Sequence, residues 1–219
     1  GVGKTKEEIE YAIKKNILLI NSESLSEVLK IEEIAKTENK LVNIGLRLNP
    51  DTDAKTLKQI STGKSENKFG VDEKTFIKII NLMKKSKFIR IKCLSVHIGS
   101  QILNHKPYEK MLGVLDKLLK RLKYKFDIID LGGGMGISYE KNNRKLNYNE
   151  YKKSIIKFRR KHNCKIIFEP GRSIIGNVGI IITKVIYLKH NKSKTFVILD
   201  VAMNDLIRPA LYNAKHRII

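Results

Sequence analysis

The chain has 219 residues, 42% of them hydrophobic, enough for one large domain, or one and a half ordinary ones, around a sizeable core. No apolar run reaches the length of a membrane span and no secretory signal opens the sequence, so no membrane partner is expected. The net charge of +22 raises a nucleic-acid partner, but the lysines are spread over nearly every helix face without an arginine- and aromatic-rich stripe; with Lys, Asn and Ile over-used together, the charge reads as base-composition drift, and no specific nucleic-acid partner is expected.

The opening run Gly1-Val2-Gly3-Lys4-Thr5 is similar to the tail of a phosphate-binding loop, but the earlier glycine and the preceding strand that such a loop needs are not in the sequence. It reads instead as a helix start, with Thr5 and Glu8 forming a capping box and Ile9, Ala12 and Ile13 on the buried face. Ile17 to Ile20 is a short strand. Ser24 and Glu27 predict a second capping box, ahead of a helix burying Leu25, Val28, Leu29 and Ala35. Leu41 to Leu48 is a strand stopped by Asn49-Pro50. A polar, mobile loop is expected from Asp51 to Gly70, ending in Lys68-Phe69-Gly70. A helix follows from Asp72 with Phe76, Ile79, Ile80 and Met83 on one side, and then a strand from Phe88 to Val96.

That strand ends in His97-Ile98-Gly99-Ser100-Gln101. The next helix has a clear period through Tyr108, Met111, Leu112, Leu115, Leu118, Leu119 and Leu122. Ile128 to Leu131 is a buried strand running directly into Gly132-Gly133-Gly134. A helix through Tyr148, Tyr151, Ile155 and Phe158 precedes a strand from Lys165 to Phe168, which ends in Glu169-Pro170-Gly171-Arg172. Cys93 and Cys164 each lie beside an apolar strand. Burial as reduced thiols is expected, which suits a reducing, cytoplasmic compartment, and no Cys/His cluster has the spacing of a metal site.

Strand and helix alternate, which implies parallel strands with helices outside, in a doubly wound sheet or a barrel. Both folds bind ligands at the carboxyl ends of strands, where the unusual motifs cluster. After Gly179, Ile180 to Leu188 and Thr195 to Leu199 are β-rich with no room for a helix between them. Residues 1–179 are therefore expected to form a partial, cofactor-binding β/α barrel and residues 180–219 the start of a β-rich domain. The absence of a first strand and the unfinished second domain read as a fragment lacking both ends.

Three glycines after a strand can expose backbone N–H groups to a phosphate, or can make a tight turn with no ligand. His97 can be a general base, a metal ligand, a ring stacked on a cofactor, or a core histidine. Glu169 stands before Pro-Gly at a strand end, where a carboxylate is rarely needed for structure and could hold a cationic ring nitrogen. Arg172 and Arg208 offer planar forks for carboxylate or phosphate. Together these describe a pyridoxal phosphate pocket.

The runs His97 to Gln101, Gly132 to Gly136, Glu169 to Arg172 and Met203 to Tyr212 resemble the diaminopimelate decarboxylase family, pyridoxal-phosphate-dependent enzymes of the alanine-racemase-like barrel group. The resemblance covers essentially the whole chain in order. The first three runs are shared with ornithine and arginine decarboxylases, whereas Asn204 to Tyr212 is more specific. It implies an incomplete TIM-type (β/α) barrel, pyridoxal 5'-phosphate as cofactor, a homodimer in the complete protein, and decarboxylation of meso-diaminopimelate to L-lysine in lysine biosynthesis.

Carried over by resemblance, His97 and Glu169 are the catalytic residues present. His97 stacks on the cofactor ring, and Glu169 pairs with its nitrogen. Ser100, Gly132, Gly133, Gly134, Pro170, Gly171 and Arg172 complete the cofactor site, mainly around the phosphate. Arg172, Arg208 and Tyr212 grip the substrate's far carboxylate, and Lys68 and Arg47 line the barrel mouth. The family's Schiff-base lysine falls upstream of Gly1, and its later cysteine and acidic motif beyond Ile219, so the chain by itself is expected to be inactive. The alternatives are a decarboxylase of the ornithine or arginine type, and a catalytically silent relative that acts as a binding protein.

Overall fold

The first helix, α1 (Lys6–Lys14), begins where its cap dictates. The Glu8 amide donates to Thr5 Oγ1 at 3.3 Å and the Thr5 amide donates to Glu8 Oε2 at 2.8 Å, a complete capping box. The run before it is therefore a helix start, and Lys4 Nζ is held 2.6 Å from Glu27 Oε1. The second expected box forms by half. Ser24 Oγ accepts from the Glu27 amide ahead of α2 (Leu25–Thr37), but the Glu27 carboxylate turns back to the Glu23 amide at 2.7 Å and to Lys4.

The computed structural model describes residues 1–52, 54, 68–139 and 145–219; most of the polar loop expected between Asp51 and Gly70 lies outside the described residues. Strands β1 (Ile20–Ser22), β2 (Val42–Arg47), β3 (Ile89–Ser95), β4 (Ile128–Asp130) and β5 (Lys165–Ile167) form one sheet in the order β1-β2-β3-β4-β5, every pair parallel. Helices α2, α3 (Glu73–Met83), α4 (Lys106–Arg121) and α5 (Tyr148–His162) make the crossovers. A doubly wound sheet reverses its strand order at a switch point; an unbroken sequential order is the pattern of a (β/α) barrel, here an incomplete one.

The sheet has two unlike faces. Ile20, Ile44, Leu46, Leu94, Ile129 and Leu131 join the helices in one hydrophobic cluster. The opposite, concave face carries Asn21, Gly45, Cys93, Ser95 and Asp130, aligned across the strands by register. Strand β3 changes phase to achieve this. Ile44 pairs with Ile91, but Gly45 pairs with Cys93, so Lys92 is an extra residue in β3. Before this bulge Ile89 and Ile91 face the helices; after it Leu94, Val96 and Ile98 do. The one-residue slip turns Ser95 and His97 toward the concave side.

Most helical faces are the expected ones. Phe76, Ile79, Ile80 and Met83 are buried in α3, and Tyr108, Met111, Leu112, Leu115 and Leu118 in α4. Two assignments are corrected. In α2, Ile31 and Ile34 are buried with Val28 and Ala35, while Leu29 is exposed, because the buried stripe follows the spacing of four and three from Val28. In α5, Tyr151 and Phe158 are buried and Tyr148, in the first turn, is exposed. Ile17 also stays outside β1 and exposed. Cys93 and Cys164 are buried free thiols.

Beyond β5 the chain leaves the parallel pattern. A single turn, α6 (Arg172–Ile175), is followed by β6 (Val185–Asn191) and β7 (Lys194–Leu199), which pair antiparallel, and then by α7 (Arg208–Tyr212). This hairpin begins a β-rich second domain. Arg172 therefore comes from a helical turn after β5, not from the strand itself.

Candidate active site

The concave face is polar because a buried carboxylate organises it. Asp130, at the end of β4, is 1% exposed. Its Oδ2 accepts from Asn21 Nδ2 at 2.9 Å and from Ser95 Oγ at 3.4 Å, tying β1, β3 and β4 together across the interior. Gly45 leaves the room for this: a Cβ there would overlap the Asn21 side chain. Beside it, Glu23 accepts from Arg47 Nη1 at 3.0 Å and from the Gly70 amide at 3.1 Å. Arg47 also lies 5.0 Å from the centroid of the Phe69 ring, and Lys68 Nζ lies 5.2 Å from the same ring. These contacts fasten the Lys68-Phe69-Gly70 segment to the barrel mouth.

The glycine run lets three strand ends meet. A Cβ on Gly132 would sit 2.6 Å from Val96 O, and one on Gly133 would collide with Glu169 O. The Glu169 amide donates to Gly132 O at 2.9 Å, and Tyr108 Oη donates to Gly133 O at 3.0 Å, anchoring α4 beneath the turn. Two amides of the expected anion cradle are engaged within the chain: Gly132 N–H donates to Asp130 Oδ1 at 2.9 Å and Gly133 N–H to His97 Nδ1 at 3.1 Å. The glycines are thus required by close backbone approach, and of the three amides only that of Gly134 lacks a partner among the described residues.

His97 and Glu169 flank this turn with opposite tendencies. Loss of water, and then the charge of Arg47, bring the His97 pKa down to about 4, so the ring is neutral at physiological pH. Because Nδ1 accepts from Gly133, the ring proton is assigned to Nε2. Glu169 is exposed at the mouth as a residue, but its carboxyl pKa is raised, first by loss of water and then by the negative charge of the neighbouring Asp130 carboxylate. A cation placed against Glu169 would relieve that strain and leave it ionised.

The third group of residues brings two guanidinium groups together. Arg172 donates through Nε and Nη2 to Ser100 Oγ at 3.3 and 3.2 Å, and through Nη1 to Tyr139 Oη at 2.7 Å. Arg208 Nη1 donates to the same Tyr139 oxygen at 2.8 Å. Both guanidinium carbons also lie over the Tyr139 ring, at 5.8 and 5.0 Å from its centroid. Asp205 instead accepts from the Ala202 amide and from Asn204, and these are its hydrogen-bond partners among the described residues. Tyr212 ends α7, one turn after Arg208.

The structure brings His97, Ser100, Gly132, Gly133, Gly134, Glu169, Pro170, Gly171, Arg172 and Arg208 to one rim, joined by these bonds and by continuous chain. Sequence reasoning missed Asp130, Asn21, Glu23 and Tyr139. The first three had a signal: a polar residue at a concave-facing position in or beside an apolar strand. Tyr139 had none, being a single tyrosine after Gly136-Ile137-Ser138.

Comparison with known proteins places this geometry. Residues 1–176 match the family model described as pyridoxal-dependent decarboxylase, pyridoxal binding domain. The whole chain is 42% identical to the diaminopimelate decarboxylase of Campylobacter jejuni, of which it covers 55%. It is also 42% identical to that of Aquifex aeolicus, of which it covers 53%. Among solved structures, diaminopimelate decarboxylase from Helicobacter pylori complexed with L-lysine superposes with a TM-score of 0.93 at 43% identity, over 99% of this chain and 55% of that one. The enzyme from M. jannaschii, also in co-complex with L-lysine, gives 0.88 at 34% identity, over 99% and 52%. The chain spans about half the length of the curated relatives it matches.

Proposed function

The chain belongs to the pyridoxal-dependent decarboxylases and carries their pyridoxal-binding domain, and from that premise we propose that the intact protein decarboxylates meso-diaminopimelate to L-lysine. The observation that carries the substrate assignment is the meeting of Arg172 and Arg208 on one oxygen beside Ser100. It supplies a second anion-reading point next to the His97–Glu169 pair. Diaminopimelate keeps an amino acid at its far end, with a carboxylate for such a point. Ornithine and arginine have no second carboxylate, which disfavours the alternative substrates.

The residues present suit pyridoxal 5'-phosphate. A neutral, flat imidazole offers a face for stacking, and a carboxyl with a raised pKa asks for a cationic partner. When bound, the cofactor supplies an electron sink for the pair left behind by carbon dioxide. In this reading His97 would stack on the ring and exclude water from it. Glu169, ionised beside the ring nitrogen, would hold the proton there. Ser100, Gly132, Gly133, Gly134, Pro170, Gly171 and Arg172 would hold the phosphate, with the Gly134 N–H and the Ser100 hydroxyl available as donors. Arg208, with Arg172 and Tyr212, orients the far carboxylate. The same reading takes the protein as a cytoplasmic homodimer without a nucleic-acid partner; no helix among the described residues is long and apolar enough to cross a membrane.

Steady-state kinetics of the full-length protein with pyridoxal phosphate test the reading. The kcat/KM for meso-diaminopimelate is expected to exceed that for ornithine or arginine by at least about a hundredfold, well within what a site built around polar contacts achieves. A preference for ornithine or arginine would replace the substrate. Cofactor binding without turnover of any of the three would favour a silent binding protein.

A further inference from the structure

Among the described residues Tyr139 is the one to which both arginine forks are bonded, and nothing in the motifs points to it. Guanidinium groups have no acceptor and repel one another. Here their Nη1 atoms lie 2.7 and 2.8 Å from the same phenol oxygen, so the two cations are held within two hydrogen-bond lengths of each other. The ring takes part as well, with both guanidinium carbons over its face.

The two arginines are not equivalent in this arrangement. Arg172 spends its Nε–Nη2 edge, the edge that would grip a carboxylate bidentately, on Ser100. The Arg208 guanidinium has its only hydrogen bond among the described residues at Nη1. Its Nε–Nη2 edge has no hydrogen-bond partner among the described residues and is the edge offered to a ligand. Arg172 is thus a brace between Ser100 and Tyr139, and Arg208 the reader.

We propose that Tyr139 is a positioning residue that holds Arg208 against Arg172, so that a doubly cationic notch of fixed shape receives the far carboxylate of the substrate. This inference rests on the proposed decarboxylation of diaminopimelate for the identity of the ligand, but not for the triad itself. The phenol pKa supports the geometry. Burial works to raise it, yet the hydrogen bonds from Arg208 and Arg172 and their charges bring it below the usual tyrosine range. The hydroxyl is thus a weak stand-in for the full negative charge that a carboxylate supplies.

Tyr139→Phe in the full-length protein tests the proposal, because it keeps the ring and removes the shared oxygen. Ultraviolet difference titration of the protein without substrate is expected to lose, in the variant, an ionisation lying below the usual tyrosine range; a loss confined to the usual range would overturn the triad. The KM for meso-diaminopimelate is expected to rise about tenfold or more, the scale of one charge-assisted hydrogen bond, with kcat changed less than about threefold. L-Lysine, which retains the far-end carboxylate, should lose inhibition by a similar factor, while a diamine of the same length without a carboxylate inhibits as before. A general structural weakening would reduce both inhibitors together and so refute the positioning role, as would an unchanged or lowered KM. If the wild-type protein turns over no diaminopimelate, the substrate reading fails, and the titration alone still decides the triad.

Discussion

At the scale of single residues the site works through charge management. Arg208 offers a planar fork, and Arg208→Lys keeps the charge while losing the shape. The variant is expected to lose roughly 1–3 kcal/mol of substrate binding with cofactor affinity nearly unchanged. Kinetics with diaminopimelate beside a cofactor titration separate the two effects, and a loss confined to the cofactor would remove Arg208 from the substrate site. His97 carries a pH dependence of definite sign. Its folded pKa is depressed to about 4 from 6.5, so between these values the unfolded chain binds the extra proton. Stability therefore rises with pH across that window in the cofactor-free protein, and is lost as pH falls through it. Thermal denaturation of the wild type against His97→Phe checks this; the variant should show a flatter rise between pH 4 and 6.5. Glu169 acts in the opposite sense. Its raised pKa means the folded state binds the extra proton above 4.5, so its contribution falls as pH rises from there. Glu169→Gln should make the cofactor-free protein more stable at neutral pH than the wild type.

At the scale of elements, the glycine turn and the β3 bulge fix where those side chains stand. Tyr108→Phe leaves the buried Gly133 carbonyl without its donor and is expected to cost about 1–3 kcal/mol in thermal or denaturant unfolding. Gly133→Ala must push back the Glu169 carbonyl, and is expected to cost more than Tyr108→Phe and to abolish cofactor binding. Much of this level was legible. The alternation of strands and helices, the Thr5–Glu8 box and the faces of α3 and α4 follow from period and capping alone. So, in principle, did the bulge: the apolar phase runs through Ile89 and Ile91 and then through Leu94, Val96 and Ile98, a break at Lys92 that marks an extra residue. Leu29 and Tyr148 were misassigned because helix ends and short windows fit more than one stripe. How many amides of the glycine run stay open was not legible, because sequence shows which residues have N–H groups but not which neighbours take them; Asp130 and His97 reach two of the three. Tyr139 stayed hidden because its partners lie 33 and 69 residues away.

At the scale of the whole molecule, the sequential sheet order gathers the ends of β3, β4 and β5 into one rim, and the turn after β5 returns Arg172 to it. The segment beyond is different in character. Ile180, Ile182 and Tyr187 are 85, 88 and 70% exposed, and both faces of the β6–β7 hairpin are open. A two-stranded hairpin has little stability unless something covers it. The 219-residue chain expressed by itself is therefore expected to self-associate and to bind an apolar fluorescent dye; a dye-silent monomer in sedimentation would contradict this.

The central claim is that one rim, assembled from consecutive strand ends, both holds the cofactor and reads a carboxylate at the far end of the substrate. A crystal structure of the full-length protein with pyridoxal 5'-phosphate and L-lysine tests it most directly. The expected result has the His97 imidazole over one face of the cofactor ring, Glu169 at the ring nitrogen, and the lysine carboxylate on the Nε–Nη2 edge of Arg208 with Tyr139 still bridging to Arg172. A cofactor ring away from His97 and Glu169, or a lysine carboxylate that does not touch Arg208, would contradict it.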